Sequence, residues 1–328
     1  MPNPQQWASM RARRTLIQGL RSALDLLGYE EVETPSLVPA PGMEPHIAPF
    51  ETPFVQEADA GRARTLYLHT SPEYAMKRLL ADGAGPIFQI CKVFRNGEIS
   101  PLHNPEFTML ELYRPQADYR RIMNDLEMIL ASAEGALAPG VCFSRLPYTR
   151  ITVREAFVRH ARIDLAHCPD AASLRAAAER IGVRVGHSPR YEDIFFHVFL
   201  ERVEKHLGQE RPEFLIDYPA QMASLARLKP GDPAVAERVE LYANATELAN
   251  GFSELTDAAE QRRRLEDEQE QRRSAGRAAY PLDEKFLSAV SRMPEAAGMA
   301  VGLDRVLMLV LGLERIEDVL LFPAHDFQ

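Results

Sequence analysis

Residues 94–113 read FRNGEISPLHNPEFTMLELY, and this stretch is the richest in candidate site residues. It joins one predicted strand, Phe88–Phe94, to a second, Glu106–Tyr113, through a long loop that carries Arg95 and His103. Side chains alternate between the two faces of a strand. The residues that share one face of the second strand are Phe107, Met109, Glu111 and Tyr113. Because a loop this long between apolar strands is typically functional, we predict the floor of a substrate site, with a surface hairpin as the alternative.

A second predicted hairpin carries two glutamates. Its strands are Arg238–Ala243 and Glu247–Leu255, and a tight turn centred on residues 243–244 would place Glu240 opposite Glu247. Two facing carboxylates repel each other unless a cation lies between them. Magnesium on nucleotide phosphates is held by one or two carboxylates. The pair therefore predicts a magnesium site.

The second strand of this hairpin also presents a polar face. The period of two places Asn250, Phe252 and Glu254 on the same side, and Gly251 leaves room for a ligand on the other side. Solvent exposure would explain any one of these residues taken alone. The group as a whole favours a second part of the same binding site.

The third candidate segment lies near the end of the chain. A predicted strand, Gly298–Gly302, runs directly into an apolar helix, Leu303–Leu311. Arg305 falls in the first turn of this helix, where a cation is disfavoured by the helix dipole unless an anion lies close. A nucleotide phosphate would supply that anion, and Asp304 is the structural alternative.

The remaining predicted elements frame these three segments. Apolar residues recur at threes and fours from Trp7 to Leu27, and Gly28 ends that helix. The other elements are a strand at Tyr29–Pro35, a helix at Glu73–Leu80 and a helix at Ala258–Arg273. Ser71 is the expected N-cap of the helix that begins at residue 73. The helix at Ala258–Arg273 is dense in Gln, Arg and Glu, which favours a solvated, salt-bridged helix over a binding tail.

Composition limits the classes of protein that this chain can be. Of its 328 residues, 46% are hydrophobic and 26% charged, which is ordinary for a protein with a full core. No apolar run reaches the roughly 18 residues that span a bilayer. The three cysteines, Cys91, Cys142 and Cys168, form no C-x-x-C pair, so we predict a cytoplasmic protein without disulfides. A net charge of −9 argues against a nucleic-acid ligand.

In their order and spacing, these segments resemble the three signature motifs of the class II aminoacyl-tRNA synthetases. Motif 1 corresponds to residues 28–35, motif 2 to residues 94–113 and motif 3 to residues 298–305. Residues 70–73, 103–108 and 247–255 are specifically similar to lysyl-tRNA synthetases. The resemblance implies an α+β fold in which helices flank an antiparallel sheet. It also implies one catalytic domain over residues 1–328, a homodimer built on motif 1, and an AMP-forming ligase.

Lysyl-tRNA synthetases carry an N-terminal barrel that binds the anticodon, and the predicted first helix, near Trp7, leaves no room for one. The chain therefore most resembles the stand-alone paralogues of these enzymes, which attach (R)-β-lysine to a lysine of elongation factor P. This implies ATP, Mg²⁺, lysine or β-lysine and elongation factor P as partners, without tRNA or membrane. The alternatives are a truncated lysyl-tRNA synthetase that charges tRNA, an amidating paralogue, and a non-catalytic sensor.

The resemblance also implies roles for residues at the nucleotide. Arg95 and Arg305 would be the catalytic residues, with Arg95 on the α-phosphate and the substrate carboxylate. Arg305 and Phe107 would enclose the adenine ring as a cation–π sandwich, and His103 would reach the outer phosphates. The further ATP-binding residues would be Asn96, Gly97, Glu98, Asn104, Glu247, Leu248 and Gly302. The metal ligands would be Glu240 and Glu247.

For the amino acid, the resemblance implies that Glu73 takes the amino group of the reacting end and Asn250 the carboxylate. Tyr113 and Glu254 would take the distal ammonium. The other pocket residues would be Ser71, Pro72 and Ala300.

Two positions depart from the motifs. Gly97 stands where motif 2 has Glu, so Glu98 is the candidate for that contact. Ala300 stands where motif 3 has its first Gly. We expect the methyl of Ala300 to fill space beside the substrate Cα and to favour a β-amino acid.

Overall fold

The computed structural model describes residues 3–44, 46–55, 57, 63–135, 137, 143–186 and 188–327. Cys142 lies outside these residues. In the described part of the chain, nine strands form one large sheet and three form a small one. Helices pack against the large sheet, so the predicted α+β fold with a helix-flanked, mainly antiparallel sheet is confirmed.

The strands are β1 (Glu30–Glu31), β2 (Leu37–Val38), β3 (Phe50–Val55), β4 (Ala63–Leu68), β5 (Ile87–Phe94), β6 (Glu106–Pro115), β7 (Thr149–Thr152), β8 (Glu213–Pro219), β9 (Leu228–Lys229), β10 (Asp232–Ala243), β11 (Thr246–Ser253) and β12 (Ala296–Gly302). The large sheet has the order β1-β5-β6-β12-β11-β10-β8-β7, and β9 pairs with β10. Only its outer pairs, β1 with β5 and β7 with β8, are parallel. The small sheet has the order β2-β4-β3.

The α-helices are α1 (Pro4–Leu26), α2 (Glu73–Ala81), α3 (Tyr119–Glu134), α4 (Val153–Ala156), α5 (Ala171–Arg180), α6 (Tyr191–Val198), α7 (Ala258–Ser274), α8 (Glu284–Val290) and α9 (Leu303–Val310). Two π-helical turns span Phe157–Ala161 and Phe199–Val203. Short 3₁₀ turns span Leu165–His167, Glu204–His206, Ala220–Met222, Ile316–Val319 and Ala324–Phe327. None of the helices in the described ranges combines the length and the apolar character that crossing a bilayer requires.

One face of the large sheet is covered by α1, α3 and α9. The first helix begins with a capping box between Asn3 and Gln6 and ends before Gly28, whose φ of +78° suits glycine. Its buried leucines pack with α3 and α9 in the main core, and each fully buried leucine contributes about 1.5–3 kcal/mol. Trp7 is 50% exposed, so the apolar stripe starts later than the sequence predicted.

Strand β6 divides its side chains between this core and the opposite face. Leu110 and Leu112 are fully buried among the core helices. The residues of opposite parity, which line a cavity on the other face, are Phe107, Met109, Glu111 and Tyr113. The predicted shared face is therefore confirmed, and the surface hairpin is excluded.

A buried aspartate fixes α9 to the strand beneath it. Asp304 accepts a hydrogen bond from the backbone N–H of Thr108 at 2.6 Å and forms a buried ion pair with Arg13 of α1. Three elements, α1, β6 and α9, are thereby held together. Because the Asp304 carboxylate is bound to Arg13 and to the Thr108 backbone, it does not neutralise the positive charge of the next residue, Arg305.

Two local predictions are wrong in detail, and a third is confirmed. The strand predicted over Tyr29–Pro35 is only Glu30–Glu31, because only these residues pair with β5. The N-cap of α2 is Pro72, although the Ser71 hydroxyl still accepts a hydrogen bond from the Glu73 N–H at 3.3 Å. The helix α7 is confirmed as a salt-bridged surface helix, with pairs such as Arg263 to Asp267.

The predicted register of the second hairpin is also wrong. The turn is formed by residues 244–245, which both have positive φ, rather than by residues 243–244. Glu247 therefore lies opposite Tyr242. Beyond this pair, Leu248 is an extra residue in β11, so that Leu241 pairs with Ala249 and Glu240 with Asn250. The sequence pattern alone revealed neither the turn position nor this bulge.

Candidate active site

The cavity lies on the sheet face opposite α1 and α3, over β6, β10, β11 and β12. Predicted site residues that line it are Ser71, Glu73, Arg95, Glu98, His103, Asn104, Phe107, Tyr113, Glu240, Glu247, Leu248, Asn250, Glu254, Ala300, Gly302 and Arg305. Three predicted residues do not line it. Pro72 caps α2, and Asn96 and Gly97 form the turn that follows β5. The fold thus brings most of the candidate residues of motif 2, of motif 3 and of residues 71–73 and 240–254 to one place.

One end of the cavity is acidic. Glu73 comes from the first turn of α2, Glu111 from β6 and Glu254 from the residue after β11. Glu111 and Glu254 are each 2% exposed. The ammonium of Lys77 lies 2.6 Å from Glu254 Oε2 and also pairs with Glu73. Three carboxylates and one lysine therefore share this end.

The carboxyls at this end resist ionisation. Burial, with repulsion from Glu73, raises the pKa of Glu111 to about 8. Burial raises the pKa of Glu254 to about 8 as well, although the Lys77 ammonium opposes the shift. Glu111 accepts a hydrogen bond from the Tyr113 hydroxyl, and its other oxygen is buried without a hydrogen-bond partner among the described residues. An incoming cationic group would meet these unmet acceptors.

Glycine makes the acidic end possible. A Cβ at position 298 would lie 2.6 Å from Glu254 Oε1 and would overlap the ring of Tyr113. Only a residue without a side chain lets the phenol and the carboxylate approach β12 so closely. Gly302 differs, because a Cβ there would come no nearer than 3.9 Å to its neighbours.

The middle of the cavity is organised by a half-buried arginine, Arg238. Its Nε donates to Asn250 Oδ1 at 3.2 Å, and its NH2 group donates to Glu240 Oε1 at 2.7 Å. With its oxygen held in this way, the Asn250 amide has its NH₂ group left to donate to a ligand. Ala300 pairs in register with Asn250 on one side and with Glu111 on the other.

Glu240, which is buried, and Glu247, which is half-buried, both line the cavity despite the shifted register. Burial and the charge of Glu240 raise the pKa of Glu247 to about 7. Glu240 also accepts from the Tyr242 hydroxyl at 2.7 Å. No group of three or more metal-ligating side chains occurs among the residues that the structure describes. Two carboxylates fit Mg²⁺ if phosphate oxygens and water complete its coordination shell.

The other end of the cavity is cationic. The guanidinium of Arg95 lies 5.1 Å from the ring centre of Phe107, and its buried Nε has no hydrogen-bond partner in the described chain. Arg305 donates to the Glu247 carbonyl at 2.8 Å and lies 2.7 Å from His103 Nε2. Burial and the charge of Arg305 lower the pKa of His103, which favours a neutral ring there. The guanidinium groups of Arg95 and Arg305 therefore give this end donors that suit an anion.

Two loop residues have partners within the protein. Glu98 lies 3.9 Å from Arg95. Asn104 donates to the Glu106 carbonyl at 2.6 Å and accepts from the Ala324 N–H at 2.8 Å. The amide of Asn104 therefore fixes the end of the loop and joins it to the C-terminal segment.

The sequence pattern does not indicate the roles of three residues at this site: Lys77, Arg238 and Glu111. The spacing of Glu73 and Lys77 by four residues on a helix is a signal for an ion pair. Arg238 and Glu240 lie two apart on one strand and so share a face. Glu111 was assigned to the correct face, but no role was assigned to it.

The raised pKa values predict how stability depends on pH. The folded protein holds protons on Glu111 and Glu254 up to about pH 8, whereas an unfolded glutamate loses its proton near pH 4.3. The free energy of unfolding should therefore fall as pH rises from about 5 to 8, by at most about 1.4 kcal/mol per pH unit for each proton. Urea unfolding of Glu111→Gln at several pH values should give a flatter slope. Glu106→Gln, exposed on the same strand, should keep the original slope, and equal slopes for all three proteins would contradict the prediction.

Comparison with known proteins agrees with this geometry. The family model of tRNA synthetases class II (D, K and N) matches residues 1–326. Three relatives carry the name elongation factor P–(R)-beta-lysine ligase. The Edwardsiella ictaluri protein is 42% identical over 320 residues, which cover 97% of this chain and 95% of the relative. The Proteus mirabilis protein is 41% identical over 321 residues, with the same coverage. The Salmonella arizonae protein is 43% identical over 300 residues, 90% of this chain and 89% of the relative. This chain therefore belongs to the family of class II tRNA synthetases (D, K and N).

Proposed function

We propose that this chain activates (R)-β-lysine, and less well α-lysine, as an aminoacyl-adenylate and transfers it to a lysine of elongation factor P. The observation that carries the proposal is the division of charge in the cavity. Buried carboxylates, with Glu111 and Glu254 among them, lie at one end, and Arg95 and Arg305 lie at the other. The printed names of the three relatives support the same substrate and acceptor.

A substrate with two ammonium groups and one carboxylate suits the acidic end. An ammonium buried without a partner costs several kcal/mol or more, so each one requires a carboxylate. We assign the amino group of the reacting end to Glu73 and the distal ammonium to Glu254 with Tyr113. The Asn250 amide, oriented by Arg238, would donate to the carboxylate.

The cationic end suits ATP. We assign the α-phosphate to Arg95 and the outer phosphates to His103, with Phe107 and Arg305 on either side of adenine. Glu98 is the candidate for the adenine amino group. Glu240 and Glu247 would hold Mg²⁺, which would offset the negative charge of the phosphates.

The proposed chemistry needs no nucleophilic side chain. A carboxylate oxygen of the substrate attacks the α-phosphorus of ATP, and pyrophosphate leaves with the electrons of the broken P–O bond. The amine of the acceptor lysine then attacks the carbonyl carbon, and AMP leaves. Alignment of the reactants and stabilisation of developing charge by Arg95 and Arg305 account for such catalysis.

We also propose that the enzyme works as a cytoplasmic homodimer without tRNA. The net charge of −9 disfavours nucleic acid, and in this class motif 1 forms the dimer interface by resemblance. Light scattering of the purified protein would measure the oligomeric state directly.

ATP–pyrophosphate exchange tests the proposed activity. The assay should be run with (R)-β-lysine, α-lysine and aspartate, and we expect exchange in that order of efficiency, with none for aspartate. Elongation factor P, incubated with enzyme, ATP and (R)-β-lysine, should then gain the mass of one lysyl unit. Efficient labelling of tRNA with an unmodified elongation factor P would overturn the proposal in favour of a lysyl-tRNA synthetase.

Replacement of Glu254 by Gln tests recognition of the distal ammonium. Loss of a charged hydrogen-bond partner costs about 1.5–3 kcal/mol, so we expect the KM for β-lysine to rise at least tenfold while the KM for ATP stays nearly constant. Glu295→Gln removes an exposed carboxylate and serves as the matched control. An equal rise of both KM values would show that Glu254 acts on something other than the amino acid.

Replacement of Ala300 by Gly tests the choice between isomers. The methyl of Ala300 lies between Asn250 and Glu111 in register, beside the region assigned to the reacting end. Excess bulk in a tight site costs about 1–3 kcal/mol, so its removal should raise kcat/KM for α-lysine about tenfold or more. The gain for β-lysine should be small. An unchanged ratio of the two kcat/KM values in a folded variant would remove Ala300 from the pocket.

A further inference from the structure

A lysine is buried directly beside the carboxylates of the cavity. Lys77, on the second turn of α2, is 2% exposed. Its Nζ lies 2.6 Å from Glu254 Oε2 and pairs with Glu73 on its own helix. The same atom lies 4.9 Å from the ring centre of Phe252 and 6.0 Å from that of Phe286. Two carboxylates and two aromatic faces therefore surround this ammonium.

Lys77 does not reach the ligand space itself. Glu73, Glu111 and Glu254 all line the cavity, but Lys77 is not one of its lining residues. The ammonium therefore sits behind the carboxylates as seen from the cavity. Any influence of Lys77 on a ligand must act through Glu73, Glu254 or the field at Glu111.

Stability alone gives a weak reason for this arrangement. A buried ion pair is often no more stabilising than apolar side chains of similar volume, and a methionine would fill the space between the two phenylalanine rings. The ammonium instead changes the charge of the acidic end. It does so from between Glu73 and Glu254, two carboxyls that line the cavity.

The titratable groups that face Lys77 come from three elements. They are Glu73 on α2, Glu254 after β11 and Glu111 on β6, with the Tyr113 phenol bonded to Glu111. From α8 only the Phe286 ring approaches it. The Lys77 charge lowers the pKa of both Glu254 and Glu111 against the upward effect of burial. The ammonium itself stays protonated, because the two glutamates raise the pKa of Lys77.

We propose that Lys77 is a positioning residue that aligns Glu73 and Glu254, so that the acidic end presents both carboxyls to a substrate with two ammonium groups. This inference rests on the proposed function. It makes Lys77 a determinant of specificity for diamino acids, although the side chain makes no contact with them. A ligand that lacks an ammonium group at Glu73 or at Glu254 would leave that carboxyl without its ligand partner.

The pH profile of kcat/KM separates this role from a purely structural one. Carboxylates must be ionised to bind ammonium groups, so kcat/KM for (R)-β-lysine in pyrophosphate exchange should rise along an acid limb. Without the Lys77 charge, the pKa values of Glu111 and Glu254 rise, and the acid limb of the profile moves to higher pH. For Lys77→Met we expect a shift of roughly one to three pH units, with kcat/KM reduced at least tenfold at pH 7 and partly restored near pH 9. The KM for ATP should not change.

Arg78→Met is the matched control, because it removes an exposed cation from the next position of the same helix. Its acid limb should coincide with that of the wild type. If Lys77→Met does not fold, the charge-balanced variant Lys77→Met with Glu254→Gln is compared with Glu254→Gln alone. The limb of the double variant should still lie at higher pH, because Glu73 and Glu111 have lost the same cation.

The outcomes separate the two proposals. If the wild type shows exchange with β-lysine but its limb coincides with that of Lys77→Met, or the limbs of the double variant and Glu254→Gln coincide, the role of Lys77 is overturned and the proposed function stands. If the wild type shows no exchange with either lysine isomer, the proposed function fails and the inference fails with it.

Discussion

Burial of carboxylates without enough cations is the constraint on which this site depends. A buried carboxylate is costly unless it is paired or hydrogen-bonded. In the described part of the chain, Glu73, Glu111 and Glu254 line one end of the cavity, and Lys77 behind them pairs with Glu73 and Glu254. The raised pKa of Glu111 and of Glu254 is the physical expression of that shortage. A ligand that brings positive charge supplies the missing cations. The site therefore favours cationic ligands for the same reason that its carboxyls are costly to bury.

The sheet makes this concentration of charge possible. The alternation of β6 sends Leu110 and Leu112 into the core and sends the polar residues to the cavity, so the same strand provides stability on one face and chemistry on the other. The absence of a side chain at Gly298 lets Tyr113 and Glu254 meet over β12. Each feature is local, but only their combination forms an acidic end.

The sequence predicted what depends on local periodicity. Strand alternation identified the face of β6 that lines the cavity. Patterns could not predict the turn at residues 244–245 or the bulge at Leu248, because neither changes the alternation of residue types in the hairpin, yet together they place Glu240 opposite Asn250. The contact of Lys77 with Glu254 was equally out of reach, since it joins segments that are distant in the chain and depends on how α2 packs on the sheet.

The two ends of the cavity are coupled through one side chain. Arg238 holds the oxygen of Asn250, which faces the proposed carboxylate site, and also holds Glu240, which faces the proposed phosphate site. At the far end Asp304 is bound to Arg13 and to the Thr108 backbone, so Arg305 keeps its charge available for an anion. A reaction that joins a carboxylate to a phosphate needs both partners held in one fixed relation. Rigid buried arginine and aspartate contacts of this kind provide that relation before either substrate arrives.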